Sequence, residues 1–116
     1  MKGGKMPLIT VYGLSKWSPH TMIKDLRDAC LNVKELGLTD RKDVTIYPVA
    51  SDSISTDSGP IIIIVELLFD RPERTHEIRQ KLAEALGQAA KISSPNRSVE
   101  VAVKRFNTEK DAFWAG

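Results

Sequence analysis

The sequence predicts one α/β domain built from two strand–helix–strand units, and three observations support this. The chain has 116 residues, which suits a single hydrophobic core. Runs of β-branched residues alternate with amphipathic runs in the order β-α-β-β-α-β. In both halves a proline precedes a strand, and a second proline follows twelve positions later near the predicted helix start: Pro7 and Pro19, then Pro60 and Pro72. A duplicated unit explains this shared spacing; because few side chains match between the halves, the alternative is coincidence.

Four strands are predicted from β-branched and aromatic runs bounded by turn-forming residues. They are Leu8–Tyr12, Val44–Val49, Ile61–Phe69 and Ser98–Phe106. Pro48 within the second run favours a strand end or a free sheet edge, because proline has no N–H to donate. A loop rich in Ser and Asp separates the units, which we place at residues 7–50 and 60–106. Residues 107–116 form an aromatic tail.

One amphipathic helix is predicted in each unit. The first begins at Ser18–Pro19, typical of a cap and first turn, and its apolar spacing continues to Leu36–Gly37, with the glycine as C-cap. The second is expected to use Asp70 or Arg71 as its cap, with Pro72 in the first turn. Its apolar stripe consists of Ile78, Leu82, Ala85, Leu86 and Ala89.

Composition narrows the class of protein. The net charge of +2 comes from 17 basic and 15 acidic residues, which argues against a dedicated nucleic-acid binder. The longest apolar run, Ile61–Phe69, has strand length and contains Glu66, so no membrane span is expected. The lone Cys30 excludes an internal disulfide and suits a reducing compartment, so we expect a cytoplasmic protein. On the apolar helix stripe, Cys30 is expected to pack rather than react.

The third predicted strand indicates an oligomer. Two helices cover one face of a four-stranded sheet, yet this strand is apolar on both faces, as is typical of strands buried on both sides. Strict alternation assigns Ile61, Ile63, Val65, Leu67 and Phe69 to one face and Ile62, Ile64 and Leu68 to the other. Exposure would forgo roughly 1.5–3 kcal/mol for each side chain. We therefore expect a homo-oligomer.

The element order fits two folds. In the ferredoxin-like fold the two halves interlock around an antiparallel sheet. In the other fold each half is a parallel, right-handed βαβ unit, and the two units lie side by side. The linear order does not separate them.

The segment Met6–Val11, followed by a turn and an amphipathic helix, resembles the start of proteins of the tautomerase superfamily. That superfamily includes 4-oxalocrotonate tautomerase and macrophage migration inhibitory factor. The two units and the aromatic tail Asn107–Trp114 match its longer members, and the chain looks most like a bacterial branch. The resemblance implies paired βαβ units, a trimer and keto–enol tautomerisation of a small 2-keto or enol acid. It implies no cofactor.

In that family the catalytic base is the secondary amine of an N-terminal proline. Here residues 1–6 precede Pro7. Lys2–Gly4 can be encoded by a ribosome-binding sequence just before the Met6 codon, so we expect Met6 to be the natural start and Pro7 to be exposed by methionine removal. A free α-amino group has a pKa of about 7.7–8, which an apolar pocket lowers. The alternative is that Met1 is the start and Pro7 only begins a strand.

The resemblance also implies substrate-binding residues. The family has a basic residue in the turn after strand one, where this chain has Lys16, and Arg71 occupies the equivalent turn of the second half. Alternatively, Lys16 is an ordinary turn residue, and Arg71 caps a helix or pairs with Asp70. Phe113 and Trp114 are expected to form an apolar wall near the proline, or else to pack in a subunit interface.

One departure from the family pattern concerns its strand-two arginine, found within a sequence such as Val-Arg-Val. This chain has Val44–Ile46 with Thr at the centre, and Val99–Val101 with Glu at the centre. The expectation of a dicarboxylate substrate is thereby weakened. Lys104 or Arg105 can compensate, although such residues are more often found at a solvated strand end.

Glu66 stands out because an unpaired buried carboxylate is costly. It is expected either to form a structural pair or subunit contact, or to serve the site as an acid–base or water-orienting group. His20 and His76 have no ligand partners at metal-binding spacing, so no metal is expected. The functional alternatives are a non-catalytic ferredoxin-like binding or regulatory module, and a tautomerase fold without activity.

Overall fold

A computed structural model describes residues 7–14, 19–50, 59–69, 71–107, 110–112 and 114. The strands are β1 (Leu8–Leu14), β2 (Thr45–Ala50), β3 (Ile61–Phe69) and β4 (Val99–Phe106), and the helices are α1 (Pro19–Leu31) and α2 (His76–Ser93). Short 3-10 helices cover Lys34–Leu36 and Arg41–Asp43. The predicted strand bounds agree with these to within two residues at each end. Among the described residues, no helix has the length and apolar character needed to cross a membrane.

The sheet is four-stranded with the order β2-β1-β3-β4. β1 pairs in parallel with β2, β3 pairs in parallel with β4, and the two central strands β1 and β3 are antiparallel. Each half is therefore a parallel βαβ unit, and the two units join side by side through their first strands. This confirms the paired-βαβ prediction over the ferredoxin-like alternative.

The two helices pack against each other and cover one face of the sheet. Every second residue of the central strands is fully buried beneath them: Ile9, Val11, Ile61, Ile63 and Val65. Burying such side chains contributes about 1.5–3 kcal/mol each. Cys30 of α1 lies in the same core, and this burial raises the pKa of its thiol to about 12. The thiol stays protonated near neutral pH, which agrees with a packing role.

The alternation predicted for β3 is wrong at its C-terminal end. Leu68 is fully buried with the core residues instead of sharing the open face with Ile62 and Ile64. The register between β3 and β4 shifts between Val65 and Leu68. An extra residue in one strand reverses which side chains face the core. A period of two read from the sequence cannot reveal such a shift.

The predicted C-terminus of α1 is also wrong. The helix ends at Leu31, and the chain continues into the 3-10 helix Lys34–Leu36. Gly37, with φ +74°, caps that turn and donates its N–H to the Lys34 carbonyl. The apolar spacing still continues to Leu36 because Val33 and Leu36 are buried by the new turn.

The second helix starts later than predicted. α2 begins at His76, and Thr75 is its N-cap, with the Thr75 hydroxyl accepting a hydrogen bond from the Ile78 N–H at 3.3 Å. Pro72 instead lies in a turn between Arg71 and Arg74. Proline suits the second position of a turn as well as the first turn of a helix, so its presence did not discriminate between them.

Pro48 lies on an edge strand, as predicted. The Thr45 N–H donates to the Pro7 carbonyl at 3.3 Å, so the main chain of Thr45 faces β1. Main-chain groups of successive strand residues point to opposite sides. Those of Pro48, three residues after Thr45, therefore face away from β1, and its nitrogen lies on the outer edge of the sheet. Since that nitrogen carries no hydrogen, the edge cannot pair fully with another strand.

Gly13 lies where the β1–β2 register shifts, with φ +92°. A Cβ at this position would lie 2.5 Å from the Pro60 carbonyl oxygen. We expect Gly13→Ala to lower the free energy of unfolding by about 2–4 kcal/mol, from backbone strain and overpacking.

Gly87→Ala in α2 is the control, since its Cβ would meet Val101 Cγ2 at an ordinary contact distance of 3.5 Å. That variant should gain up to about 1 kcal/mol. Urea denaturation checks both, and equal effects would contradict the prediction.

Candidate functional site

The start of β1 defines one end of the sheet, which we call the Pro7 end. Because β1 and β3 are antiparallel, the starts of β1 and β2 meet the ends of β3 and β4 there. Leu8 pairs with Thr45 on one side and with Glu66 on the other. Pro7 itself is buried. The fold therefore places Pro7 at the end of the sheet where β1 and β2 begin and β3 and β4 end.

Arg71 lies two residues after the end of β3 and so belongs to the Pro7 end. Its side chain is exposed. Its carbonyl accepts a hydrogen bond from the Arg74 N–H at 2.9 Å, which closes a turn over residues 71–74. The helix-cap alternative for Arg71 is wrong because α2 begins at His76. Its other expected partner, Asp70, lies outside the described residues.

Lys16 lies outside the described residues. The last described residue before it, Leu14, ends β1, about 20 Å from Leu8 at the usual strand rise. The preceding strand therefore leads away from the Pro7 end within one chain. The end of β1 instead lies near Pro60 and the Arg97 guanidinium, which donates to the Gly59 carbonyl at 2.9 Å.

The end of β4 contributes two further cations to the Pro7 end. Arg105 pairs in register with Leu68, and Lys104 precedes it. Both residues are exposed. Both lie at the Pro7 end, whereas Glu100 pairs with Ile62 toward the opposite end of the sheet.

The tail leaves the sheet at the Pro7 end as well. It starts with a turn in which the Asp111 carboxylate accepts from the Asn107 N–H at 3.0 Å, and the Asp111 N–H donates to the Asn107 carbonyl at 2.7 Å. Trp114 is 87% exposed in the single chain. Phe113 lies outside the described residues. The proposed apolar wall is thus not formed by Trp114 within one copy.

Glu66 is exposed on the face of the sheet that carries no helix. The cost of burying its carboxylate therefore does not arise in a single chain. Its position opposite Leu8 places it beside the start of β1. This position is compatible with a subunit contact and with a role in the site.

Arg74 is a residue that the sequence analysis missed. It is 2% exposed, and its guanidinium Nη2 donates to the Leu36 carbonyl at 2.9 Å. Burial lowers the pKa of Arg74, and the nearby positive charge of Arg71 lowers it further. Arg74 lies between regular elements, so no periodic pattern distinguishes it from a solvated turn residue.

The part of the chain that the structure describes contains no cluster of metal-ligating side chains. No group of three or more His, Cys, Asp or Glu side chains is placed to hold an ion there. His76 is exposed in the first turn of α2.

Comparison with known proteins gives matches in structure alone: no family model and no curated protein sequence matches the chain. A Vibrio cholerae O1 biovar eltor str. N16961 protein of unknown function superposes with a TM-score of 0.68 at 9% identity, covering 99% of this chain and 88% of that one. Pt0534 inactivated by 2-oxo-3-pentynoate has a TM-score of 0.61 at 15% identity, with coverages of 96% and 93%. An asymmetric trimer of fused 4-oxalocrotonate tautomerase has a TM-score of 0.61 at 18% identity, with coverages of 94% and 92%. The chain has the fold of the tautomerase superfamily.

Proposed function

We propose that this protein catalyses keto–enol tautomerisation of a small 2-keto or enol acid, with the amine of Pro7 as the base. The observation that carries this proposal is the position of Pro7, which begins β1 at the end of the sheet where Arg71, Lys104 and Arg105 supply positive charge. A structural neighbour inactivated by a 2-oxo acid supports the substrate class.

The proposed mechanism needs a neutral secondary amine. Pro7 is buried, and burial disfavours the charged form of an amine. Once free, the amine removes the proton from the enol oxygen or the carbon, and the resulting ammonium returns a proton to the other atom. Arg71 binds the carboxylate and stabilises the developing enolate. The reaction begins and ends with the same number of protons on the enzyme.

We further propose that the active protein is a homo-oligomer, most simply a trimer. Two tyrosines of the open sheet face are largely solvent-exposed in one chain, Tyr47 at 59% and Tyr12 at 41%. Val49 and Ile62 extend the same apolar surface. A structural neighbour is a trimer of fused 4-oxalocrotonate tautomerase. A neighbouring copy would cover this face and bring Lys16, Phe113 or Trp114 toward a Pro7 end.

Glu66 has two proposed roles, and the effect of its substitution on the oligomeric state distinguishes them. As an interface residue it pairs with a cation of a neighbouring copy. As a site residue it orients water or exchanges a proton near Pro7. Glu66→Gln distinguishes them: lost assembly supports the first role, and lost turnover in an intact oligomer supports the second.

The lone buried thiol suits a reducing compartment, and we propose that the protein is cytoplasmic.

The experiment that tests the function is ketonisation of phenylenolpyruvate by a chain that begins at Pro7. Pro7→Ala in the same chain leaves a primary amine on a less constrained residue and should reduce turnover at least tenfold. Absence of activity in the assembled Pro7 chain would overturn the catalytic proposal and favour a tautomerase fold without activity.

Arg71→Met should raise KM for phenylenolpyruvate about 10- to 100-fold, because a hydrogen bond to a charged group contributes about 1.5–3 kcal/mol. Lys24→Met is the matched control, since Lys24 is an exposed cation on α1, paired only with Asp28 at 3.4 Å among the described residues. Its KM should stay at the parent value. Steady-state kinetics checks both, and an unchanged KM in Arg71→Met would remove Arg71 from the site.

A further inference from the structure

Arg74 is the one buried charged side chain among the residues that the structure describes, at 2% exposure. It lies in the turn after β3, at the Pro7 end. Burying a guanidinium costs several kcal/mol unless its N–H groups find acceptors. A turn at the protein surface has no general need for such a residue. Its contacts show what it holds in place.

Three hydrogen bonds tie the turn through Arg74. Its guanidinium Nη2 donates to the carbonyl of Leu36 at 2.9 Å, and its main-chain N–H donates to the carbonyl of Arg71 at 2.9 Å. Its own carbonyl accepts from Arg79 Nη1 of α2 at 2.6 Å. The turn of the second unit is thereby attached both to its own helix and to the first unit.

The acceptor of this hydrogen bond lies in a buried part of the chain. Leu36 is itself buried, in the 3-10 helix that precedes β2, so the acceptor carbonyl belongs to the packed core. β2 starts at the Pro7 end beside Leu8. The Leu36–Arg74 bond therefore ties the 71–74 turn to the connection that leads from α1 into β2.

Arg71 is the exposed end of that anchored turn. Its carbonyl is held by the Arg74 N–H, while its guanidinium is in solvent. The two positive charges repel each other, which disfavours collapse of Arg71 onto the turn. The buried arginine thus restrains the main chain of Arg71, whose side chain stays exposed.

We propose that Arg74 is a positioning residue that holds Arg71 at the Pro7 end, where Arg71 binds the carboxylate of the substrate. This rests on the proposed function only for the role of Arg71. Arg74 acts through the geometry of the turn and does not contact the substrate.

The kinetic test compares Arg74→Met with Arg74→Lys in the chain that begins at Pro7. Methionine removes the donors, and lysine keeps one that can reach the Leu36 carbonyl. We expect Arg74→Met to raise KM about tenfold or more, since small displacements of a positioning group are costly. Arg74→Lys should recover part of this. A fall in melting temperature with unchanged KM in both variants would overturn the inference.

Lys81→Met is the matched control for loss of a contact between the two units. Lys81 of α2 pairs with Glu35 of the same 3-10 helix at 2.9 Å but does not belong to the 71–74 turn. Its KM should stay at the parent value. The double variant Arg71→Met/Arg74→Met should match Arg71→Met alone, because Arg74 acts through Arg71. If the fold-changes in KM of the two single variants multiply in the double variant, the inference is overturned.

A binding test separates this inference from the catalytic proposal. Pyruvate is titrated into the full chain while the 15N resonance of the Arg71 Nε–H is followed by NMR. We expect a shift in the parent and in Arg74→Lys, and a loss of at least tenfold in affinity in Arg74→Met. This outcome supports the inference even if the Pro7 chain proves inactive. No shift in the parent, or equal shifts in all three proteins, would overturn it.

Discussion

A chain that begins at Pro7 should ketonise phenylenolpyruvate at least about 100-fold faster than the chain that retains residues 1–6. Amide-linked to Met6, the nitrogen of Pro7 has no basic lone pair, whereas the free amine is a secondary base. General base catalysis contributes about 10²–10⁴ in rate. Because the neutral amine is the active form, kcat/KM should rise with pH through the pKa of that amine.

The controls for this comparison are the oligomeric state and the fold of both chains. Light scattering and circular dichroism should show no difference between them, so that lost activity is assigned to the nitrogen. Equal activity in the two chains would exclude Pro7 as the base. The intact mass of the protein from its source then shows which form the cell makes. If that mass includes Met1–Lys5, the form in the cell has no free Pro7 amine, and the proposed reaction does not take place there.

The fold was predictable because it depends on local patterns that the sequence displays. The bounds of β3 were predicted correctly as Ile61–Phe69, since an apolar, β-branched run flanked by proline and aspartate leaves little choice. The core position of Cys30 followed from helical spacing. The sheet face on which Leu68 lies was not predictable, because a register shift adds no distinctive residue to the sequence.

The candidate site was less predictable because it depends on strand direction. In the sequence, Lys16 and Arg71 occupy equivalent turns of the two units. The antiparallel pairing of β1 with β3 breaks this equivalence, since it brings the end of β3 to Pro7 and leaves the end of β1 far from it. Within one chain, the turn of the second unit that carries Arg71 therefore lies at the Pro7 end.

Arg74 illustrates a second limit. Its acceptor, the Leu36 carbonyl, lies 38 residues away in the sequence and is a main-chain group. No side-chain pattern records such a contact. The same sequence segment, Arg71–Arg74, contains one exposed and one buried arginine, and only the three-dimensional position of the 3-10 helix distinguishes them.

We expect a second large effect from a substitution on the sheet face that carries no helix. Ile64 lies at its centre, paired with Thr10 on one side and Ala102 on the other. Ile64→Glu should convert the assembled protein to a monomer at micromolar concentration. An unpaired carboxylate buried in an interface costs about 3–5 kcal/mol, which corresponds to a dissociation constant raised roughly 10²–10⁴-fold. Light scattering measures the mass.

The matched control is Lys24→Glu, which places the same side chain on the exposed surface of α1. This variant should keep the parent mass. Circular dichroism should show folded protein in both, because the core beneath the helices does not include Ile64. A monomeric parent, or an unchanged mass in Ile64→Glu, would contradict the oligomer proposal.

The monomer also tests how the site is completed. If Lys16 of a neighbouring copy contributes to binding, Ile64→Glu should raise KM even though Pro7 and Arg71 remain in place. If the monomer keeps the parent KM, the site belongs to one chain, and Arg71, Lys104 and Arg105 are its only proposed cations. Arg71→Met in the monomer background then decides between them, because a large further rise in KM requires Arg71 to act without help from a second copy.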